Sequence, residues 1–180
     1  MTQPTVDRDG LAADLERART DFHHLLDTTI SDEWSAPSNG TRWNNEELLF
    51  HMLFGYMIVQ KLLVLVRVFG RLPAGASHVN SIFLNAATKP FDLINFYGSR
   101  AATRVYNRRR MGAKMDRVIA SLQRSLRRES EASFARGMEY PSRWDPYFRD
   151  YMSLADLYRY PGQHYDHHRK QLTVASIREP

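Results

Sequence analysis

No cysteine occurs among the 180 residues. That excludes disulfides, thiolate metal sites and a cysteine nucleophile together. It also favours a reducing compartment, because small secreted domains usually need disulfide staples. The opening stretch MTQPTVDRDGLAADLERART lacks the basic start and apolar run of a signal peptide. Cytoplasmic localisation is therefore the expectation. Period-2 alternation and internal repeats are missing too, which leaves little room for a sheet-built fold. One long apolar run exists, LLFHMLFGYMIVQKLLVLVRVF, but His51, Gln60, Lys61 and Arg67 interrupt it. A charge near mid-bilayer costs roughly 3 kcal/mol, so the run reads as a buried core helix rather than a membrane span.

What is present suits one globular domain over residues 1–180. The apolar fraction is 43% and the charged fraction 25%, as in ordinary soluble domains large enough to bury a core. The net charge is +5. Much of the excess sits in RAATRVYNRRRMGAKMDR and RSLRR, where it could meet phosphates, anionic lipid or an acidic small molecule.

Helical punctuation recurs along the chain. Residues 7–30 form a first helix, with Asp7 as cap and Leu11, Leu15, Ala18, Phe22, Leu25 and Leu26 on one face. SDEWSAPSNGT reads as a connection. A second helix starts with Asn44 as N-cap, Glu47 as its capping-box partner, and Trp43 and Leu48 as a hydrophobic staple. Gly70 and Pro73 should end it. LPAGASHVNSIFLNAATKP is then a long crossover, with helical turns expected around 82–87. Residues 91–110 and 113–131 look helical, with Gly112 as a bend. Leu93, Phe96 and Tyr97, then Met115, Val118, Ile119, Leu122 and Leu126, should face the core. RGMEYPSRWDPYFRDYM is irregular and aromatic, and its rings should cap one end of the core. The last helix begins at Ser153 with Asp156 completing a capping box. Pro161 removes one backbone bond and should kink it. The whole reads as all-α: a four-helix bundle with a long crossover between the second and third helices.

Three histidines crowd YPGQHYDHHRKQL in the last helix. His164 and His168 are four residues apart, so their rings project the same way about 6 Å apart along the axis. Both lie on the arc of Leu157, Pro161, Tyr165 and Leu172, which faces inward. Two inward imidazoles want a shared partner, and a divalent cation is one. His51, two turns into the most apolar helix, is the candidate third ligand. Gly55, one turn on, leaves room beside it for a ligand or for close helix packing. Satisfied core histidines are the alternative. His167 lies about 60° round the helix and belongs to the rim. Asp166 can pair with Lys170 on the solvated face, and His23, His24 and His78 read as structural.

These stretches resemble a known family. RWNNEELLFHM, YPSRWDPYFRDYMSLADLYRYPGQHYDHHRKQL and the helix order are similar to the DinB/YfiT-like bacterial metalloproteins. The resemblance covers nearly the whole chain. It implies an up-down-down-up bundle, a divalent metal on His51, His164 and His168, and frequent homodimers. Relatives include transferases and isomerases that use low-molecular-weight thiols, and some hydrolases.

Three imidazoles leave a metal position open, which suits catalysis or ligand capture. The metal could be zinc or nickel, since imidazole accepts several divalent ions. With no cysteine, any thiolate must come from an external low-molecular-weight thiol. The first reading is thus a metal-dependent thiol transferase or hydrolase acting on a small molecule. Glu47, one turn before His51, and His167 are the candidate acid–base groups, with capping the other role for Glu47. A non-catalytic metal- or ligand-binding bundle is the second reading. Nucleic-acid binding through Arg100, Arg104, Arg108, Arg109, Arg110, Lys114 and Arg117 is the third. No aromatic ladder or reading motif accompanies that stripe, and charge runs on helices are usually solvated.

Overall fold

Alternating caps and apolar faces along the chain produce the elements in order. A computed structural model describes residues 5–69, 71, 88–141 and 143–178. Helix α1 spans Arg8–Thr28, α2 Ser31–Ser35, α3 Asn45–Phe69, α4 Thr88–Val105, α5 Arg108–Arg128 and α6 Glu131–Phe134. Strands β1 (Gly137–Glu139) and β2 (Tyr151–Ser153) follow, then α7 (Leu154–Arg169) and α8 (Ala175–Arg178). Gly70, Pro73, His78 and the turns at 82–87 lie outside the described residues.

Contacts at the two ends fix the direction of each long helix. Arg8, at the start of α1, reaches the carbonyl of Leu126 at the end of α5. Tyr158, early in α7, donates to Ser125 of α5 at 3.0 Å, and Arg67, late in α3, bonds the same Ser125. At the opposite end Asn45 of α3 meets Thr173 beyond α7. So α1 and α7 run one way and α3 and α5 the other. This is an up-down-down-up four-helix bundle.

The core follows the helical periodicity. Leu11, Leu15, Ala18, Phe22 and Leu25 of α1 are buried with Met111, Met115, Val118, Ile119, Leu122 and Leu126 of α5. Each such large side chain contributes about 1.5–3 kcal/mol when fully buried. Between residues 48 and 56, α3 is buried on nearly every side. It is the one described helix long and apolar enough to cross a membrane, with a mean hydropathy of 1.8, but 61% of that window is buried inside the fold. Its apolar surface is therefore core. Val64, Leu65 and Val68, near its end, face outward.

Several expected boundaries shift. The connection after α1 contains the short helix α2, which buries Trp34. The break in the basic region falls at Tyr106–Asn107 rather than Gly112, because Asn107 caps α5 by accepting the Arg110 N–H at 3.0 Å. Gly112 lies inside that helix, where an added Cβ would come within 3.0 Å of the His23 ring and 3.2 Å of Leu26. Its lack of a side chain serves α1–α5 packing. Leu93 and Tyr97 are 60% and 54% exposed. They sit on α4, an outer layer over α3 whose inward face carries Asn95, Ser99 and Ala102. The aromatic segment contains a two-stranded antiparallel ladder, Met138 opposite Met152. Gly137 is required there, since a Cβ would meet the Met152 carbonyl at 2.6 Å. Its rings do cap the core: Tyr140 and Phe148 are buried, and Phe148 packs on Tyr160 of α7 with centroids 4.6 Å apart.

One buried amide sets the α3–α7 register. Asn45 is fully buried, donates to the Glu33 carbonyl at 2.7 Å and to Thr173 Oγ1 at 2.9 Å, and accepts the Thr173 N–H at 3.0 Å. Truncation strands those partners away from water. Asn45→Ala is expected to lower unfolding free energy by about 2–3 kcal/mol, read as a reduced urea midpoint with unchanged slope.

Candidate metal centre

Helix α3 presents His51 because its capping box starts the helix at a defined residue. Asn44 Oδ1 accepts the Glu47 N–H at 2.8 Å, and Glu47 Oε2 accepts the Asn44 N–H at 3.3 Å. The preceding turn is pinned by Ser38 N–H bonding to the Trp43 carbonyl at 3.1 Å. Gly40 in this turn has φ +71°, a conformation that glycine adopts without steric cost. The turn lays the Trp43 ring on His51, with centroids 4.4 Å apart and planes 24° from parallel.

Helix α7 presents the other two rings. Ser153 and Asp156 form its capping box, and the helix continues through Pro161 to Arg169. His164 lies against Gly55 of α3. A Cβ on Gly55 would stand 2.7 Å from His164 Nδ1 and 2.9 Å from Cε1. The room that Gly55 leaves is thus filled by a histidine ring.

The three rings converge. His51 Nε2 lies 3.2 Å from His164 Nε2 and 3.2 Å from His168 Nε2. One ligand atom from each ring falls within 4.8 Å of the others. A tetrahedral zinc ion about 2.0–2.1 Å from each nitrogen would hold them roughly 3.3 Å apart. A ring nitrogen cannot donate to one neighbour and accept from another, so hydrogen bonds among the three cannot satisfy them all. A cation at their common point would take every lone pair. These residues fit a divalent metal.

Protonation and orientation agree with ligation. Burial, reinforced by the neighbouring His168, depresses His51 to about 3. Burial depresses His168 to about 4, opposed by its bond to Gln171. His164, fully enclosed, is pushed well below the ordinary histidine range by the same desolvation and by the other rings. All three are neutral at pH 7, the form a metal needs. His168 Nδ1 lies 2.7 Å from Gln171 Oε1. As donor there, it leaves Nε2 bare and turned to the centre. Asn95 plays on His51, its amide favouring the charged ring.

The expected acid–base residues stand apart from the centre in different ways. Glu47 gives one oxygen to the cap and the other to Arg100 Nε at 3.1 Å, and its side chain is 14% exposed. His167 is on the rim, edge-on to Tyr147 with centroids 5.7 Å apart. Other basic residues are spread over α4 and α5, and some are engaged locally: Arg108 lies over Trp34, and Arg110 and Arg117 bond the carbonyls of Val105 and Ala113.

Asp145, in the connection between β2 and β1, was not legible as a site residue. Its Oδ2 is 3.6 Å from His164 Nε2 and accepts from Tyr160 Oη at 2.9 Å. Its Oδ1 accepts the Tyr147 N–H at 2.8 Å. Burial raises its carboxyl above the usual range, against the bonds from Tyr147 and Tyr160 and the charge of His167. Gln171 and Asn95 were likewise unread. An amide three residues beyond an inward histidine is the one local signal, and it points to Gln171 alone.

Two cavities adjoin the centre. A space of about 20 Å³ is bounded by His51, His164, Asp145, Tyr160 and Trp144. A wider one of about 360 Å³ is lined by Arg42, Trp43, Phe96, His168 and Gln171.

The family model for the DinB superfamily matches residues 14–172. No curated protein and no solved structure matches the chain.

Two outcomes follow. Gly55→Ala gains about 1 kcal/mol of helix propensity and loses about 1–3 kcal/mol to overpacking. Stability should thus fall by about 0–2 kcal/mol, while displacement of His164 lowers zinc affinity at least tenfold in a competition titration. For metal-free protein, the unfolded histidines protonate near pH 6.5, whereas the folded rings resist until about 4 for His168 and about 3 for His51. Protons then favour the unfolded chain as pH falls. Unfolding free energy should drop between pH 6.5 and 4, by up to about 1.4 kcal/mol per unit per ring, and should stay level from 7 to 8.

Proposed function

The chain belongs to the DinB superfamily, and we propose that it is a three-histidine metalloenzyme acting on a small molecule, of the thiol-dependent transferase or hydrolase type. The observation that supports this is the meeting of His51, His164 and His168 Nε2 at one buried point. The metal would be zinc or nickel, both of which accept imidazole. When bound, it would lower the pKa of a protic ligand and so make a nucleophile near neutral pH.

The remaining residues have separable tasks. Trp43 and Gly55 hold the His51 and His164 rings in place. Gln171 orients His168. Three protein ligands leave at least one position for an outside molecule, as catalytic zinc sites do. The cavity beside His168 offers that molecule a path, with the Trp43 and Phe96 rings as an apolar floor. Arg42, whose guanidinium lies 4.1 Å from the Phe96 centroid, adds positive charge at the mouth, which suits an anionic substrate or thiol. His167 sits at the rim, edge-on to Tyr147. Glu47 serves through the cap and its ion pair, anchoring α4 to the start of α3.

Elemental analysis of untagged protein tests the foundation. Wild type is expected to carry about one divalent ion per chain, and His168→Ala to bind it at least a hundredfold more weakly. Stoichiometric metal retained in that variant would sink the proposal. Gln171→Leu keeps the ligands but loses the orienting bond, and should cost about 10–100-fold in affinity, measured by chelator competition.

A further inference from the structure

We propose that Asp145 is the proton acceptor for a single water lodged between its carboxylate and the three-histidine centre, so that hydrolysis is the reaction class of the site. This rests on the metalloenzyme reading above and chooses within it. Three observations carry it.

The first is volume. The space bounded by His51, His164 and Asp145 is about 20 Å³, and a water needs about 10–15 Å³ by this measure. A thiol carrying a carbon chain does not fit. The space around Trp43 and His168, about 360 Å³, does accommodate a substrate. The two sides of the centre thus differ in what they admit.

The second is the placement of the carboxylate. Tyr147 N–H ties down Oδ1, leaving Oδ2 to face the cavity beside His164 at 3.6 Å. Donor atoms on one zinc ion lie roughly 3.3 Å apart. Asp145 is not among the residues whose ligand atoms lie within 4.8 Å of one another, so it stands outside the ligand set, where one water can bridge it to the centre. Tyr160 Oη donates to the same Oδ2 at 2.9 Å, which fixes its direction and leaves lone-pair capacity for the water.

The third is polarity. Phe54, Gly55, Ile58, Trp144, Phe148 and the neutral Asn95 amide form the remaining walls. Asp145 is the carboxylate lining this space, so a water there has an anionic acceptor on one side and the imidazoles on the other. In the step, one water O–H bond breaks, its proton passes to Oδ2, and its electron pair stays on oxygen. Asp145 is left as a neutral carboxyl, and a metal held by His51, His164 and His168 would supply the positive charge that stabilises the oxygen anion. His167 lies near enough to act on the carboxyl's charge.

The test uses zinc-loaded full-length protein. A crystal structure of the wild type is expected to show one water within hydrogen-bond distance of Asp145 Oδ2. Asp145→Asn should retain zinc within threefold of wild type by chelator competition, since it removes an acceptor and not a ligand. Hydrolysis of 4-nitrophenyl acetate should fall at least a hundredfold in that variant. Direct coordination of zinc by Oδ2, an empty cavity, or a hundredfold loss of zinc affinity in Asp145→Asn would each overturn the assignment. If Asp145→Asn fails to fold, the wild-type structure alone decides. Failure of wild type to bind zinc at all would instead overturn the metalloenzyme reading.

Discussion

The antiparallel seam between α3 and α7 is the constraint from which the rest of the molecule takes its shape. His51 lies opposite two histidines only because the helices run in opposite directions with a fixed offset. Asn45 sets that offset at one end, through its bonds to Thr173 and the Glu33 carbonyl. Arg67, Ser125 and Tyr158 fix the other end. A slip of one residue on either helix would turn a ring by about 100° and dissolve the convergence. Burial then does the chemical work. Three imidazoles packed against Trp43 and one another lose their hydration, stay neutral and expose lone pairs to a common point. Such a cluster is costly by itself, because buried polar atoms without partners forfeit their bonds to water. Among the described residues, His51 and His164 each retain a buried Nδ1 without a hydrogen-bond partner. A cation would recover part of that cost.

Most of the bundle was legible because its signals are local. Capping boxes at Asn44–Glu47 and Ser153–Asp156 are four-residue patterns, and both formed as read. The amphipathic faces of α1 and α5 follow a period that needs no knowledge of neighbours. The histidine triad was legible for the same reason: i, i+4 spacing puts two rings on one face, and a ring in an apolar helix must be inside. The failures were all matters of tertiary context. Gly112 looks like a bend by propensity, yet it sits where α1 approaches closely. Leu93 and Tyr97 look like core, yet their helix is an outer layer with one covered face. The β1–β2 ladder is three residues per strand, too short for alternation to show.

Asp145 illustrates the deeper limit. In sequence it is one acidic residue in a stretch of aromatics and prolines, with no spacing that ties it to any histidine. Its importance comes from the fold: the ladder returns the chain across one end of the bundle, and Tyr160, four residues before His164, receives the carboxylate there. Glu47 is the contrary case. Helical spacing places it one turn from His51, but the cap and Arg100 hold both oxygens. Sequence proximity on a helix reports which face a residue shares. It does not report where a long side chain finds its strongest partner.

The two carboxylates therefore differ in environment more than in closeness to a histidine along the chain. Glu47 bonds the Asn44 N–H of its own capping box and pairs with Arg100, so it holds α4 against α3. Asp145 sits among aromatic walls whose burial raises its carboxyl above the usual range, against its bonds from Tyr147 and Tyr160. The same asymmetry runs through the cavities. Beside His164 and Asp145 the space is water-sized and walled largely by rings; beside His168 it is wide and edged by Arg42. The three neutral imidazoles thus border two spaces of very different size, one at His51 and His164 and one at His168.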